Sequence, residues 1–176
     1  MNKYNVTGDE IVTLLGRSET DDKILDLFEK LEIDSSEIER DEDIDSFDIE
    51  LEEDIGLTLT FDASLKEESC VPKYIGGQYL VQATFEYRFK PLPFGLDDEY
   101  NLETVITKLG EEPNYINIDN SSELYWFYED LGWLSIEFED ESLTSIYYVD
   151  VKPFENPLED WDGENGFNTI MKAFKR

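Results

Sequence analysis

Apolar residues recur with helical spacing in three short stretches of the chain. The stretch 7–16 opens with the threonine–glutamate spacing of a capping box and closes on a glycine, which is typical of a helix start and stop. In 24–31 the apolar residues fall at positions i, i+3, i+4 and i+7, and in 101–110 an asparagine cap precedes a similar face. The pattern therefore predicts three short amphipathic helices.

A second pattern, the alternation of apolar and polar residues, marks five segments of the chain. A period of two is typical of strands that bury one face. The segments are 56–61, 79–89, 124–128, 132–140 and 143–151. The helices precede groups of strands instead of alternating with single strands, and the strands are joined by short turns. The predicted fold class is α+β, with short helices packed on one face of a mostly antiparallel sheet.

Two pairs of segments indicate that one structural plan occurs twice. IVTLLG at 11–16 is similar in character to ETVITKLG at 103–110, and GLTLTFD at 56–62 is similar to GWLSIEFED at 132–140. The spacing from the Leu-Gly pair to the glycine-led strand is longer in the first half. The acidic segment that lies in this spacing is therefore interpreted as an insertion.

The length of the chain suits one domain. We expect a single domain over 1–176, in which the pattern allows two repeated halves, 7–90 and 95–151. An irregular tail is predicted at 152–176.

Charge is the most unusual feature of the sequence. There are 44 acidic and 14 basic residues, a net charge of −30, and thirteen of the acids lie with a single arginine between positions 32 and 54. Repulsion among like charges destabilises a compact state. Two explanations stay open: general solubility, as in a salt-adapted proteome, or a surface shaped for a cationic partner. Ile44, Phe47, Ile49 and Leu51 interrupt the acids, so they either anchor the segment to the protein's own core or contact a partner.

The remaining composition disfavours several functional classes. The few basic residues are scattered, which argues against binding to nucleic acid or to an anionic membrane. There is no histidine, and Cys70 is the single cysteine, so the commonest general base, a disulfide framework and a thiolate metal cluster are excluded. No secretory signal pattern and no run of about 18 apolar residues occurs, so we expect a cytoplasmic protein.

Two weaker alternatives start from the carboxylates. The acidic segment contains the spacing of a calcium loop, but Ser46 stands where that loop needs glycine, and a partial second copy at 160–165 has its glycine misplaced. Glu137 and Glu139 could form the carboxylate pair of a glycosidase, yet with 44 acids such pairs arise by chance. We therefore expect no metal site, no cofactor and no enzymatic activity.

Aromatic runs are further candidates for a binding surface. Residues 125–128 are four consecutive aromatics and 147–148 are two tyrosines, so some of these rings must leave the core face of their strands. They then face solvent, a helix, the tail or a partner. The glycine-containing loop at 73–77, which holds Tyr74, is an additional candidate.

A short helix, a Leu-Gly pair and a β-meander form a unit that occurs in other proteins. In this chain the unit covers 9–16 with 56–61, and 103–110 with 124–148. It resembles the fold shared by a small outer-membrane assembly lipoprotein and the β-lactamase inhibitor proteins, and the inhibitor carries the unit twice. The resemblance implies helices on one face of a short antiparallel sheet. The chain departs from the lipoprotein because it has no lipobox.

A second resemblance is carried by LLGRSETDDKILDLFEKL followed by GLTLTFD, by PLPFGL at 91–96 ahead of a Leu-Gly helix, and by size and acidity. These features resemble acidic immunity proteins of bacterial toxin–immunity systems, including contact-dependent growth inhibition. The resemblance implies a cytoplasmic protein that binds one cognate toxin domain, in an expected 1:1 complex, and blocks it without chemistry of its own.

A nuclease is the expected toxin, because an enzyme that cleaves nucleic acid needs a basic cleft that an acidic surface can occupy. The alternative is a non-enzymatic adaptor or regulatory module for another basic protein. The candidate contact residues belong to the acidic segment and the glycine-containing loop. They are Asp41, Glu42, Asp43, Asp45, Asp48, Glu50, Glu52, Glu53, Asp54 and Tyr74.

Overall fold

The computed structural model describes residues 3–35, 38, 46–62, 78–117, 122–128 and 132–152. Its helices are α1 (Gly8–Val12), α2 (Asp22–Lys30), α3 (Glu52–Ile55) and α4 (Leu102–Leu109), with a 3₁₀ turn at Pro93–Gly95. Its strands are β1 (Ser46–Glu50), β2 (Leu57–Asp62), β3 (Tyr79–Glu86), β4 (Tyr115–Ile116), β5 (Glu123–Tyr128), β6 (Gly132–Phe138) and β7 (Ile146–Lys152).

The seven strands of the described residues form one antiparallel sheet in the order β1-β2-β3-β7-β6-β5-β4. Strands β1 to β3 make one meander, β4 to β7 make a second, and the last strands of the two meanders, β3 and β7, pair with each other. This α+β architecture, mostly sheet, confirms the predicted fold class. The internal repeat and the single-domain boundaries stay predictions.

One face of the sheet carries the core, and the helices cover that face. Phe61, Phe85, Trp126 and Ile136 are fully buried there, on four different strands. Buried apolar residues of all four helices belong to the same cluster. The predicted placement of short helices on one face of the sheet is therefore found in the described residues.

Capping interactions begin α1 and α4 and end α4 at the predicted positions, whereas α1 ends at Val12 and does not extend to the glycine at 16. The Thr7 hydroxyl oxygen accepts a hydrogen bond from the backbone N–H of Glu10 at 3.1 Å, at the start of α1. The Asn101 side-chain oxygen accepts one from the backbone N–H of Thr104 at 2.9 Å, at the start of α4. Gly110 ends α4 with a φ of 84°, a left-handed conformation that glycine adopts without steric cost.

Strand β1 corrects the interpretation of the acidic segment as an insertion. Residues 46–50 pair with β2 at the edge of the sheet, so this part of the segment belongs to the first meander. Phe47 and Ile49 are each only 8% exposed, and the Phe47 ring stacks on Phe61 with centroids 4.9 Å apart. Because every second side chain enters the core while the carboxylates stay in water, the strand forms despite its charge.

Three strands are shorter than the sequence predicts, and the one expected at 132–140 ends at Phe138. The strand expected at 79–89 ends at Glu86, where residues 87–90 turn away from the sheet. The strand expected at 143–151 begins at Ile146, because the hairpin between β6 and β7 extends to Ser145 and includes Leu143 with a φ of 54°. Of the predicted tail, Lys152 ends β7 and the remainder lies outside the described residues.

Candidate functional site

Part of the predicted contact surface lies in the described region of the chain. Asp48, Glu50 and Glu53 are described and exposed. Glu52 and Asp54 lie in α3, but their side chains are outside the description. The other candidates lie outside the described residues: Asp41, Glu42, Asp43, Asp45 and Tyr74.

The exposed acids of β1 lie on the side of the strand that faces away from the core. Asp48 is opposite Thr60 and Glu50 is opposite Thr58, so both carboxylates lie on the face of the sheet opposite to the one that the described helices cover. Ile49, between the two acids, and Phe47, before Asp48, are buried. The structure thus decides between the two roles for Phe47 and Ile49, since it places them in the protein's own core. Leu51 is partly buried against that core, and Ile44 lies outside the described residues.

A row of residues crosses this second face of the sheet from edge to edge, and we call it the central row. It includes one residue from each strand, in the order Glu50, Thr58, Thr84, Asp150, Ser135, Tyr125 and Tyr115. Each is directly opposite its neighbour in the register. The predicted contact residue Glu50 therefore begins a row that is otherwise made of hydroxyls, a second carboxylate and two aromatic rings.

Asp150 is the carboxylate in the middle of the central row. The Thr84 hydroxyl donates a hydrogen bond to its Oδ1 atom, and Gln82 Nε2 donates another at 3.4 Å. Burial raises the pKa of the Asp150 carboxyl, and the negative charges of Glu123 and Glu137 raise it further, whereas the two hydrogen bonds oppose the shift. The result is an acid whose ionised form is disfavoured in the folded protein.

Glu123, next to the central row, is held by three hydrogen-bond donors from neighbouring residues. Its Oε1 atom accepts from the Tyr125 hydroxyl at 2.6 Å and from the Ser135 hydroxyl at 3.0 Å, and Oε2 accepts from Asn117 Nδ2 at 2.6 Å. Burial, followed by this bond to Glu123, raises the pKa of the Tyr125 phenol above its ordinary value. The carboxylate is therefore fixed in position on the sheet.

Aromatic rings extend the same face toward β4. The Tyr125 ring stacks on Tyr115 with centroids 4.5 Å apart, and its centroid lies 5.5 Å from that of Trp133. Phe127 packs with the two tyrosines in a second, smaller apolar cluster. The Trp133 indole nitrogen is buried and has no hydrogen-bond partner among the described residues.

The consecutive aromatics of β5 divide between the two faces, as the period of a strand requires. Trp126 enters the main core, where its indole N–H donates to the Glu111 carbonyl at 3.1 Å. Tyr125 and Phe127 are half-buried on the second face. The carboxylates Glu123 and Asp150 were not among the sequence candidates. In the sequence, each is only a polar residue at an outward position of a largely apolar strand. That they share one face becomes visible only from the register of the strands.

Among the described residues, no group of three or more Cys, Asp or Glu side chains is arranged to hold a metal ion. None of the helices in the described ranges is long and apolar enough to cross a bilayer. No family model, curated protein or solved structure matches this chain.

Proposed function

We propose that this chain is a cytoplasmic immunity protein, which binds a cationic toxin domain in a 1:1 complex and blocks it without catalysing a reaction. The expected toxin is a nuclease, because a net charge of −30 complements the basic cleft of an enzyme that acts on a phosphate backbone. Nucleic acid and membrane are not expected partners. The proposal rests on the chemistry of the acidic surface together with the family resemblance.

The observation that carries the proposal is the way strand β1 displays its acids. Asp48 and Glu50 are exposed, while Phe47 and Ile49 are held in the core between and beside them. The backbone that presents these carboxylates is therefore ordered before a partner arrives, and preorganised groups lose less entropy on binding than groups in a flexible chain. Charge alone would not require such anchoring.

The first experiment is a capture of the partner followed by an activity assay. The tagged protein is incubated with extract of its native cell at ~0.15 M salt, where weak charge contacts are screened. We expect a single basic polypeptide at equal stoichiometry. That polypeptide should degrade DNA or RNA by itself and stop when one equivalent of this protein is added.

Two results would refute the proposal in different ways. If no stoichiometric polypeptide is retained, or only a diffuse set that higher salt removes, the charge serves general solubility. If the captured polypeptide binds tightly but its activity is unchanged by this protein, binding holds and immunity does not, which is the behaviour of an adaptor.

A pair of charge-reversal variants tests whether β1 makes the contact. The variant Asp48→Lys/Glu50→Lys should lower the association rate with the captured toxin by roughly tenfold or more at low salt, because the local field steers encounter. The control Glu111→Lys/Glu112→Lys changes the net charge by the same amount at two exposed positions beside β4, at the far edge of the sheet. Equal slowing in both variants would mean that only overall charge matters.

A further inference from the structure

A cleft of about 250 Å³ opens at the end of the sheet where β3 and β7 meet the hairpin that follows β6. Its lining residues are Tyr87, Asp98, Glu139, Ser145, Ile146 and Tyr147. None of them is among the toxin-contact residues predicted in the acidic segment and the glycine-containing loop, although the aromatic pair 147–148 was a further candidate for a binding surface. Pockets that take whole small-molecule ligands usually measure about 300–1,000 Å³, so this cleft has the size for one side chain or a similarly small group.

Two exposed tyrosines form one wall of the cleft. Tyr87 and Tyr147 are 42% and 38% exposed, and their rings stack with centroids 5.8 Å apart. Tyr148 packs edge-on against Tyr147 at 4.3 Å and supports it from the strand. Tyr87 already has the Arg88 guanidinium 6.0 Å from its ring centre, so this tyrosine pair is an environment that accepts a cation.

Two carboxylate residues also line the cleft. Asp98 pairs with Lys90, and Glu139 accepts a hydrogen bond from the Ser145 hydroxyl at 3.0 Å. Each belongs to a run of three consecutive acids, 97–99 and 139–141. These six acids outnumber the two bases near the cleft, Lys90 and Arg88, so the local charge favours a cation over an anion.

The hairpin that holds Glu139 and Ser145 is braced against the rest of the fold. The backbone N–H of Glu139 donates to the Ser145 carbonyl at 2.9 Å, which closes the hairpin. The N–H of Leu102, at the start of α4, donates to the Leu143 carbonyl at 3.0 Å. The N–H of Tyr87 donates to the Tyr147 carbonyl and the N–H of Ile146 donates to the Asp98 carbonyl, both at 2.8 Å, so the segments that line the cleft are joined before a ligand enters.

We propose that this cleft receives an arginine side chain of the basic protein partner, a step that rests on the proposed function and adds a specific contact to it. The guanidinium is planar, so it can lie against tyrosine rings and at the same time donate paired hydrogen bonds to a carboxylate. A lysine ammonium is a strongly hydrated point charge. It can pair with the carboxylates, but it has no plane that stacks on the tyrosine rings. Arginine anchors in pockets are also frequent among the residues that dominate protein interfaces.

The site can be tested without the toxin, by titrating the isolated protein with Nα-acetyl-arginine methylamide at ~0.15 M salt and following backbone amide signals by NMR. We expect saturable shifts at Ser145, Ile146 and Tyr147 with millimolar affinity, the range open to one side chain. The neutral analogue Nα-acetyl-citrulline methylamide, which has nearly the same shape, should produce no saturable shift.

Variants of one tyrosine and one carboxylate that line the cleft distinguish a specific binding site from general charge attraction. Tyr147→Ala and Glu139→Gln should each weaken the arginine probe roughly tenfold, and Tyr147→Phe, which keeps the ring, should bind like the parent. The control Glu112→Gln removes one charge at an exposed position beside β4 and should leave the titration unchanged. Unshifted thermal unfolding of each variant shows that the fold is retained, as expected for side chains as exposed as that of Tyr147.

The inference is overturned if the shifts spread over the acidic surface, if they persist in Tyr147→Ala and Glu139→Gln, or if no saturable shift occurs at millimolar probe. Such a failure concerns the cleft alone, since the capture and nuclease assays need no knowledge of this site. Conversely, a chain that captures no toxin would still give the arginine titration if the cleft is built as described.

Discussion

Asp150→Asn tests whether the carboxylate at the centre of the second face destabilises the folded protein at neutral pH. Burial, followed by the charges of Glu123 and Glu137, raises the pKa of Asp150 above its ordinary value of 3.8. The folded state therefore binds a proton at this site more tightly than the unfolded chain. Asparagine keeps an oxygen that can accept from Thr84 and Gln82, and it removes the charge.

The sign of the effect follows from proton linkage. Below the ordinary pKa, Asp150 is protonated in both states and no penalty exists. Between the ordinary and the raised pKa only the folded state holds the proton, so stability falls as pH rises, and above the raised pKa the loss is complete. Each unit of upward shift corresponds to about 1.4 kcal/mol. For a chain of this length, 1 kcal/mol moves the unfolding temperature by about 2–4 °C.

The assay is thermal unfolding between about pH 4 and pH 8, with Asp48→Asn as the matched control. Both variants change the net charge by one, but Asp48 is exposed on β1. We expect Asp150→Asn to be more stable than the parent at the upper end of this range, and the difference to vanish at the lower end. If both variants show the same pH profile, or if Asp150→Asn is less stable at about pH 8, the buried charge carries no net penalty and the reasoning is wrong.

Three further substitutions test the packing that positions β1 and the turns. Phe47→Ala removes the ring stacked 4.9 Å from Phe61 and should lower the free energy of unfolding by about 3 kcal/mol in urea titrations, with β1 becoming protease-sensitive. Gly8→Ala would place a Cβ 2.4 Å from the backbone nitrogen of Pro93 and should cost about 2–3 kcal/mol. Gly110→Ala meets open space at a φ of 84°, so only the left-handed strain, about 1 kcal/mol, is expected; equal costs for the two glycines would contradict this assignment.

The helices were predictable because their signals are local. The cap of α1 at Thr7, the stripe of α2 and the Asn101–Gly110 frame of α4 all lie within one or two turns of chain. Strands β2, β3, β5, β6 and β7 were also anticipated, since each alternates in sequence. The very short elements α3 and β4 have too few residues to display a period, and their formation depends on the neighbours they contact.

Strand β1 was missed although its signal was present. Phe47 and Ile49 alternate with Ser46, Asp48 and Glu50, which is the period of a half-buried strand. The alternation is evident in the sequence, but the charge density of the surrounding segment argued against a strand. Hydrophobic burial against Phe61 and Leu59 outweighs the repulsion once β2 is in place. The charge of this segment indicates that its acidic side chains are exposed, but it does not indicate whether the backbone forms a strand or a loop.

The second face could not be derived from the sequence, because it depends on register between distant segments. Thr84 and Asp150 are 66 residues apart, and they meet only because β3 and β7 pair antiparallel with that alignment. A register irregularity between Glu137 and Phe138 leaves Tyr147 opposite neither of them, beside the cleft. A shift of one residue in either pairing would reverse which side chains share a face.

The proposed contacts would act at different stages of one binding event. Exposed carboxylates on β1 influence the approach of a basic partner over distances up to the Debye length, about 8 Å at physiological salt, and thus mainly its association rate. A guanidinium enclosed between Tyr147 and Glu139 is a short-range contact, whose loss is expressed in the dissociation rate. A chain with thirteen acids between positions 32 and 54 attracts many cations, and charge alone does not discriminate among them. Specificity for one partner therefore requires a shaped site, and the described surface has one where two tyrosines and two carboxylates enclose a volume of single-side-chain size.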